Sequence, residues 1–207
     1  MVATDLLSFV RASLPTPPSG VLEIGAGDGE LARALRDDGY EVLAIDSDPR
    51  GEGVQSLALI ELDDSIAPVD AALAVTSLHH VEPLEASITR LAEVLEPGAV
   101  LVVDEFDVGT FDEPAAEWWL RQRRALGGAP EKSAAELVEE HRAHLHPLER
   151  IVAALEPHFE LETPTYGPYL YRWDLAESLR DAEVAAIAGG EIPAVGARFV
   201  ARLRPPG

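Results

Sequence analysis

The chain is 207 residues long, 47% apolar and 26% charged, with a mean hydropathy of +0.03, a balance that excludes a disordered or membrane-embedded protein and suits one well-buried domain. Acidic residues outnumber basic ones 37 to 16, and the resulting net charge of −21 repels a phosphate backbone, which argues against a nucleic-acid substrate. Cysteine is absent, which excludes disulfides, thiol nucleophiles and Cys-based metal sites.

The N-terminal stretch has neither the basic region nor the long apolar core of a secretory leader, and no segment is apolar enough to span a bilayer, so a cytoplasmic location is expected. Residues 4–14 carry Leu6, Leu7, Phe9, Val10 and Leu14 at helical spacing, with Thr4 or Asp5 as cap, before a proline-rich connector at 15–18. Val21 to Ile24 then predicts a strand, Gly25-Ala26-Gly27-Asp28-Gly29 a glycine turn, and Leu31, Ala32, Ala34 and Leu35 a helix. A second strand is expected over Tyr40 to Ile45, closing on Asp46, a third over Leu57 to Leu62, and a fourth over Ala71 to Val75. A helix over 84–96 ends at Pro97-Gly98, and Ala99 to Val103 reads as the fifth strand. This alternation predicts an α/β fold with a parallel sheet.

Beyond Phe111 the pattern is helical as far as Leu155. Phe159 to Thr163, Tyr169 to Trp173 and Arg198 to Leu203 are extended candidates, with a helix over Asp174 to Ala188 between the last two.

Glycines in a strand-to-helix turn let a ligand lie against the backbone, and a carboxylate ending the next strand can accept hydrogen bonds from both hydroxyls of a ribose. Glu23, Gly25, Gly27 and Asp46 together therefore point to a nucleoside ligand. The glycines fall at 25, 27 and 29 with Glu30 following, which departs from the G-x-G-x-x-G of nicotinamide oxidoreductases.

Val21 to Gly29 resembles the first motif of class I S-adenosylmethionine-dependent methyltransferases, and Leu43-Ala44-Ile45-Asp46-Ser47-Asp48-Pro49 resembles their second. Val69 to Val81 and Leu91 to Val103 are similar to the fourth-strand segment and to the helix, Pro-Gly turn and fifth strand of the small-molecule branch. The four segments cover about half of the chain, roughly residues 20–105, in the family's order. The resemblance implies a doubly wound, mostly parallel seven-stranded sheet of Rossmann-like type, with Arg198 to Leu203 as its antiparallel terminal strand. It places the cofactor in residues 20–105, a helical cover over the acceptor at 111–157, and closing strands and helix at 158–207.

By the same resemblance S-adenosylmethionine is the cofactor, held by Glu23, Gly25, Ala26 and Gly27 at its methionine end and by Asp46 and Ser47 at its ribose. Ser77 would border it, and Asp63 or Asp64 would meet the adenine amino group. The segment from Asp46 to Asp70 is shorter than usual in the family, which leaves the register of Asp63 against Asp64 open, with a missing helix as one outcome.

The implied reaction is methyl transfer to an O, N or C atom of a small molecule. His80, His79, Asp104 and Glu105, at the carboxyl ends of the fourth and fifth strands, are the candidate bases, and packing or strand capping is the competing role of each. Trp118, Tyr166 and Tyr169 are candidate acceptor contacts, since aromatic rings suit a largely apolar pocket. His141, His144 and His146 are close in sequence, but no carboxylate completes a zinc pattern, so they are expected to face solvent or a neighbouring helix, and no metal is expected. A noncatalytic binding protein on the same fold and a nicotinamide oxidoreductase are the rival readings. Oligomeric state is left open.

Overall fold

The computed structural model describes residues 3–63, 66, 69–129 and 132–205. Helix α1 (Thr4–Ser13) leads into β1 (Gly20–Ile24), α2 (Glu30–Asp37) and β2 (Glu41–Asp46). A two-residue β3 (Gln55–Ser56), β4 (Val69–Val75), α3 (Leu84–Val94) and β5 (Leu95–Phe106) follow. The strands run in the order β3-β2-β1-β4-β5-β8-β6, with β8 (Gly196–Leu203) antiparallel to β5 and the first five parallel to one another.

The central strands are covered on both faces, and their sequences show it: in β4 Ala71, Ala72, Leu73 and Ala74 are all fully buried, a continuous apolar run rather than an alternation. On one face Leu84, Ile88 and Leu91, spaced four and three apart on α3, meet α6 (Leu148–Leu155) and the sheet. Leu6, Val10, Leu31 and Leu35 from α1 and α2 cover the other. A separate aromatic core lies where α4 (Glu113–Ala125) packs on α5 (Ala134–His144). Asp112 caps α4 by accepting from Ala115 N, and Ser133 with Glu136 forms a capping box on α5.

Several expectations are corrected. The third strand is not Leu57 to Leu62 but Gln55–Ser56, and Leu59–Glu61 form a 3-10 turn. Leu59 and Leu62 are buried while Ile60 and Glu61 face out, a spacing of three that a turn satisfies and a strand does not. Residues 47–54 join β2 to β3 without a helix. The outer edge beyond β8 is a broken strand: β6 (Phe159–Leu161) and β7 (Thr165–Gly167) both pair with β8, separated by Glu162, Thr163 and Pro164, and the sheet therefore counts eight strands. Asp5 does not cap α1, because its carboxylate accepts from Tyr171 and Arg198 instead.

Tyr169 to Trp173 is not extended but holds a 3-10 turn at Leu170–Arg172. The cause is Glu183 on α7 (Arg180–Ala188), whose fully buried carboxylate accepts from the consecutive amides of Tyr169, Leu170 and Tyr171 at 2.7, 2.9 and 2.8 Å. Three successive N–H groups converge on one carboxylate only in a tight turn. The helix expected from Asp174 starts at Arg180, because the carbonyls of Trp173 and Asp174 are occupied by Trp119 Nε1 and Arg123 Nη1 from α4.

Candidate functional site

The carboxyl ends of β1, β2, β4 and β5 converge at the glycine turn. Gly25 has φ +69°, and a Cβ there would stand 2.4 Å from Ser77 Cβ, so a side chain at this position is excluded by both conformation and space. Asp46 stitches the turn to β2: its Oδ2 accepts from Gly27 N and its Oδ1 from Asp48 N, each at 2.8 Å. The loop after β2 lies directly over the turn, since a Cβ at Gly51 would sit 1.9 Å from the carbonyl oxygen of Asp28.

Above the turn opens a cleft of about 560 Å³, lined by Glu23, Gly25, Gly27, Thr76, Tyr171 and Arg172 among others. Glu23 is 4% exposed, and its Oε2 has no hydrogen-bond partner among the described residues. Burial pushes its carboxyl up to about 7, with the positive charge of Arg36 acting against the rise. A buried carboxylate with one orphaned oxygen beside a glycine turn fits a ligand that brings an ammonium group and needs close backbone approach.

A second cavity of about 640 Å³ lies under α4 and α5, walled by His80, Phe106, Trp119, His141 and Trp173. Both cavities are lined by Thr76 and Tyr169, which stand where they meet. Thr76 is one of two described non-glycine residues with positive φ, +50°, and its amide donates to the Asp104 carbonyl at 2.7 Å. Backbone strain of that kind costs about 1–3 kcal/mol and is held by the surrounding structure. Tyr169 stacks on Phe106 at 5.0 Å, and burial raises its hydroxyl pKa.

The candidate bases are placed very differently. Glu105 is fully buried, with Oε1 accepting from Ser77 N and Leu78 N at 2.9 and 2.6 Å and Oε2 lying 2.5 Å from His79 Nδ1. Asp104 is paired with Arg172 and Arg198. His80 lies beside His79, ring centroids 4.4 Å apart and tilted at 46°, both line the second cavity, and the ring nitrogens of His80 have no hydrogen-bond partner among the described residues. Burial, and then the neighbouring His79, lower its pKa, so it is neutral at neutral pH.

The remaining residues divide as follows. Gly25, Ala26 and Gly27 line the cleft, whereas Asp46, Ser47 and Ser77 are not part of its lining. Asp63 is exposed after the 3-10 turn, and Asp64 lies outside the described residues. Trp118 is buried in the helical core, and it is Trp119 that reaches the second cavity. Tyr166, half exposed on β7, lines a smaller cavity elsewhere. Of the three clustered histidines, His144 is exposed, as expected, at the rim of the second cavity, His141 is half-buried on its wall, and His146 is buried and bonds the Val81 carbonyl. Among the described residues no group of three or more His, Asp or Glu is arranged to hold a metal. Thr76 and Arg172 had no signal in the sequence: a threonine after a strand and an arginine among tyrosines are common, and only the fold brings them to the cleft.

The family of methyltransferase domains matches residues 2–144. The chain belongs to it, as a class I S-adenosylmethionine-dependent methyltransferase domain. This membership sets aside the nicotinamide alternative. An uncharacterized methyltransferase of Mycobacterium tuberculosis is 38% identical over 100 residues, 42% of this chain and 40% of the relative. The ubiquinone biosynthesis O-methyltransferase of Xylella fastidiosa is 32% identical over 112 residues, 47% of this chain and 46% of that one. The chain thus spans less than half the length of these curated relatives. Among solved structures, the Burkholderia thailandensis 1,6-didemethyltoxoflavin-N1-methyltransferase, with its substrate and S-adenosylhomocysteine bound, shares the fold at a TM-score of 0.56 and 18% identity, covering 98% of this methyltransferase domain and 76% of that chain. Among the described residues no helix of the domain is long and apolar enough to cross a membrane.

Proposed function

We propose that this domain transfers a methyl group from S-adenosylmethionine to an O, N or C atom of a small-molecule acceptor. The observation that carries the reading is the pair of cavities meeting at Thr76 and Tyr169, one over the glycine turn with the orphaned Glu23 Oε2, the other lined by aromatic rings and histidines. When bound, the cofactor supplies a methyl already activated on a sulfonium.

The residues of the chain then have limited tasks. Glu23 accepts the ammonium of the methionine portion and is held ionised by it. Gly25 and Gly27 present backbone without side chains, Ala26 adds only a methyl, and Asp46 holds the turn through its bonds to the Gly27 and Asp48 amides. Thr76 and Tyr169 frame the opening between the cavities and exclude water from it. His80, neutral and unpaired, takes the proton of the acceptor. His79 is the competing base, because Glu105 holds its Nδ1 and leaves Nε2 to accept a proton, and it lines the same cavity. Glu105 and Asp104 are positioning groups, the first orienting His79 and the amides after β4, the second held between two arginines. Phe106, Trp119, Trp173 and Tyr169 supply apolar faces to the acceptor.

The test is a calorimetric titration with S-adenosylmethionine, S-adenosylhomocysteine and NAD, on the protein and on Asp46→Ala, followed by a methyl-transfer assay over a panel of small hydroxylated and amino acceptors. Binding of both sulfur nucleosides but not NAD, weakened in the variant, together with turnover, is expected. Failure of either sulfur nucleoside to bind would overturn the reading, and binding without transfer to any acceptor would favour a noncatalytic role.

A further inference from the structure

A third cavity, of about 200 Å³, opens on the α1 side of the β8 edge and is lined by Arg172, Arg180 and Arg198 together with Asp5, Asp104, Thr165 and Tyr166. In a chain with a net charge of −21, three guanidinium groups around one small cavity are not what composition alone supplies. Two carboxylates face them. Asp104 is taken by Arg172 and Arg198, and Asp5 accepts from Arg198 Nη1 at 2.9 Å and from the Tyr171 hydroxyl at 2.9 Å. Arg180 Nε stands 3.6 Å from Asp5, too far for a hydrogen bond, and its Nη1 lies 3.6 Å from the exposed Asp181. Within the cavity lining three cations therefore face two anions, and the third carboxylate nearby, Asp181, lies outside the lining and points to solvent.

A second observation singles out the same place. Among the described residues six buried side-chain atoms lack a hydrogen-bond partner, and three of them are Arg172 Nε, Arg180 Nε and Arg198 Nη2. Two others, Glu23 Oε2 and Ser77 Oγ, belong to the cofactor cleft and its back wall. Unpaired buried polar groups in a folded protein call for a bound partner, and here donors without acceptors collect around a cavity with surplus positive charge. Guanidinium groups approaching from different elements recognise an oxyanion by charge and by directed N–H bonds together.

We propose that this cavity is a binding site for a small oxyanion, a phosphate group or a carboxylate, separate from the cofactor cleft. Arg180, from the start of α7, is the gatepost, 3.6 Å from both Asp5 and Asp181 without a hydrogen bond to either, and Arg198 and Arg172 form the back wall. Arg172 also lines the cofactor cleft, which puts the two sites on opposite sides of one side chain.

The probe is inorganic phosphate, titrated calorimetrically into the protein at constant ionic strength, with acetate as the planar counterpart. Saturable one-to-one binding of either is expected, and the stronger of the two identifies the oxyanion. Arg180→Gln, which touches neither large cavity, is expected to weaken that binding at least tenfold with an unchanged thermal midpoint in the absence of the anion. A parallel titration with S-adenosylhomocysteine already bound is expected to leave the anion able to bind. No saturable binding of phosphate or acetate would overturn the proposal, as would undiminished binding in Arg180→Gln. Complete competition by S-adenosylhomocysteine would overturn it too, because the anion would then sit in the cofactor cleft.

Discussion

Replacing Glu23 by glutamine tests the cofactor site through the buried carboxyl itself. An ordinary glutamate titrates at 4.5, and burial moves this one to about 7 in the folded protein. The folded state therefore binds the proton more tightly than the unfolded chain, and stability carried by the protonated form is fully present below pH 4.5 and lost as pH rises through about 7. That difference amounts to about 3 kcal/mol across the window, an upper figure because Arg36 and water that enters the cleft relieve some of it. Glutamine carries no charge to desolvate, so Glu23→Gln is expected to be as stable as the parent near pH 4.5 and more stable at pH 8, by up to about 3 kcal/mol. Urea unfolding at half-unit pH steps reads this directly. The binding side has the opposite sign: an ammonium placed against Glu23 favours the carboxylate, so S-adenosylhomocysteine binding at pH 6 is expected to release close to one proton, falling towards none above pH 8. Calorimetry in buffers of different ionisation heat counts those protons. If Glu23→Gln shows the same pH dependence of stability as the parent, the buried carboxyl is not the titrating group, and the argument from its orphaned oxygen fails with it.

Gly25→Ala forces a left-handed alanine, costing about 1–2 kcal/mol, against Ser77 Cβ at 2.4 Å, an overpacking cost of about 1–3 kcal/mol more. A lower urea midpoint at unchanged m-value, with cofactor binding lost, is expected, and near-parent stability would show that the turn can relax. Glu183→Ala leaves three backbone N–H groups without their carboxylate, at about 1–3 kcal/mol each where they stay buried. Beyond the fall in stability, S-adenosylhomocysteine affinity is expected to drop and the emission of Trp173 to shift, because the turn it anchors carries Tyr171 and Arg172. Partial rescue by Glu183→Gln would separate this from simple unfolding. His80→Gln is expected to lower kcat by about 10²–10⁴ while leaving S-adenosylhomocysteine affinity unchanged. In the parent the limb of the kcat profile that needs neutral His80 is expected below 6.5, since burial and His79 depress its pKa. An unchanged kcat would assign His80 to packing.

The glycine turn and the parallel strands around it were legible because their constraints are local. A strand ending in Gly25-Ala26-Gly27 must turn with positive φ, an acid closing the next strand must stand beside that turn, and parallel strands buried on both faces must be continuously apolar, as β4 is. Those requirements are written within a few residues of one another. The side chains beyond β4 obey no such rule. His79 and His80 are neighbours of the same type and line the same cavity, yet only His79 is oriented by a carboxylate, Glu105, 26 residues away. Asp104 reads as a candidate base until Arg172 and Arg198 arrive from 68 and 94 residues downstream. The backbone of 169–172 reads as a strand until Glu183, on another element, gathers its amides into a turn. Local backbone geometry follows from residues in sequence, whereas the protonation, pairing and exposure of a side chain depend on charges and surfaces that only the folded chain brings within a few ångströms.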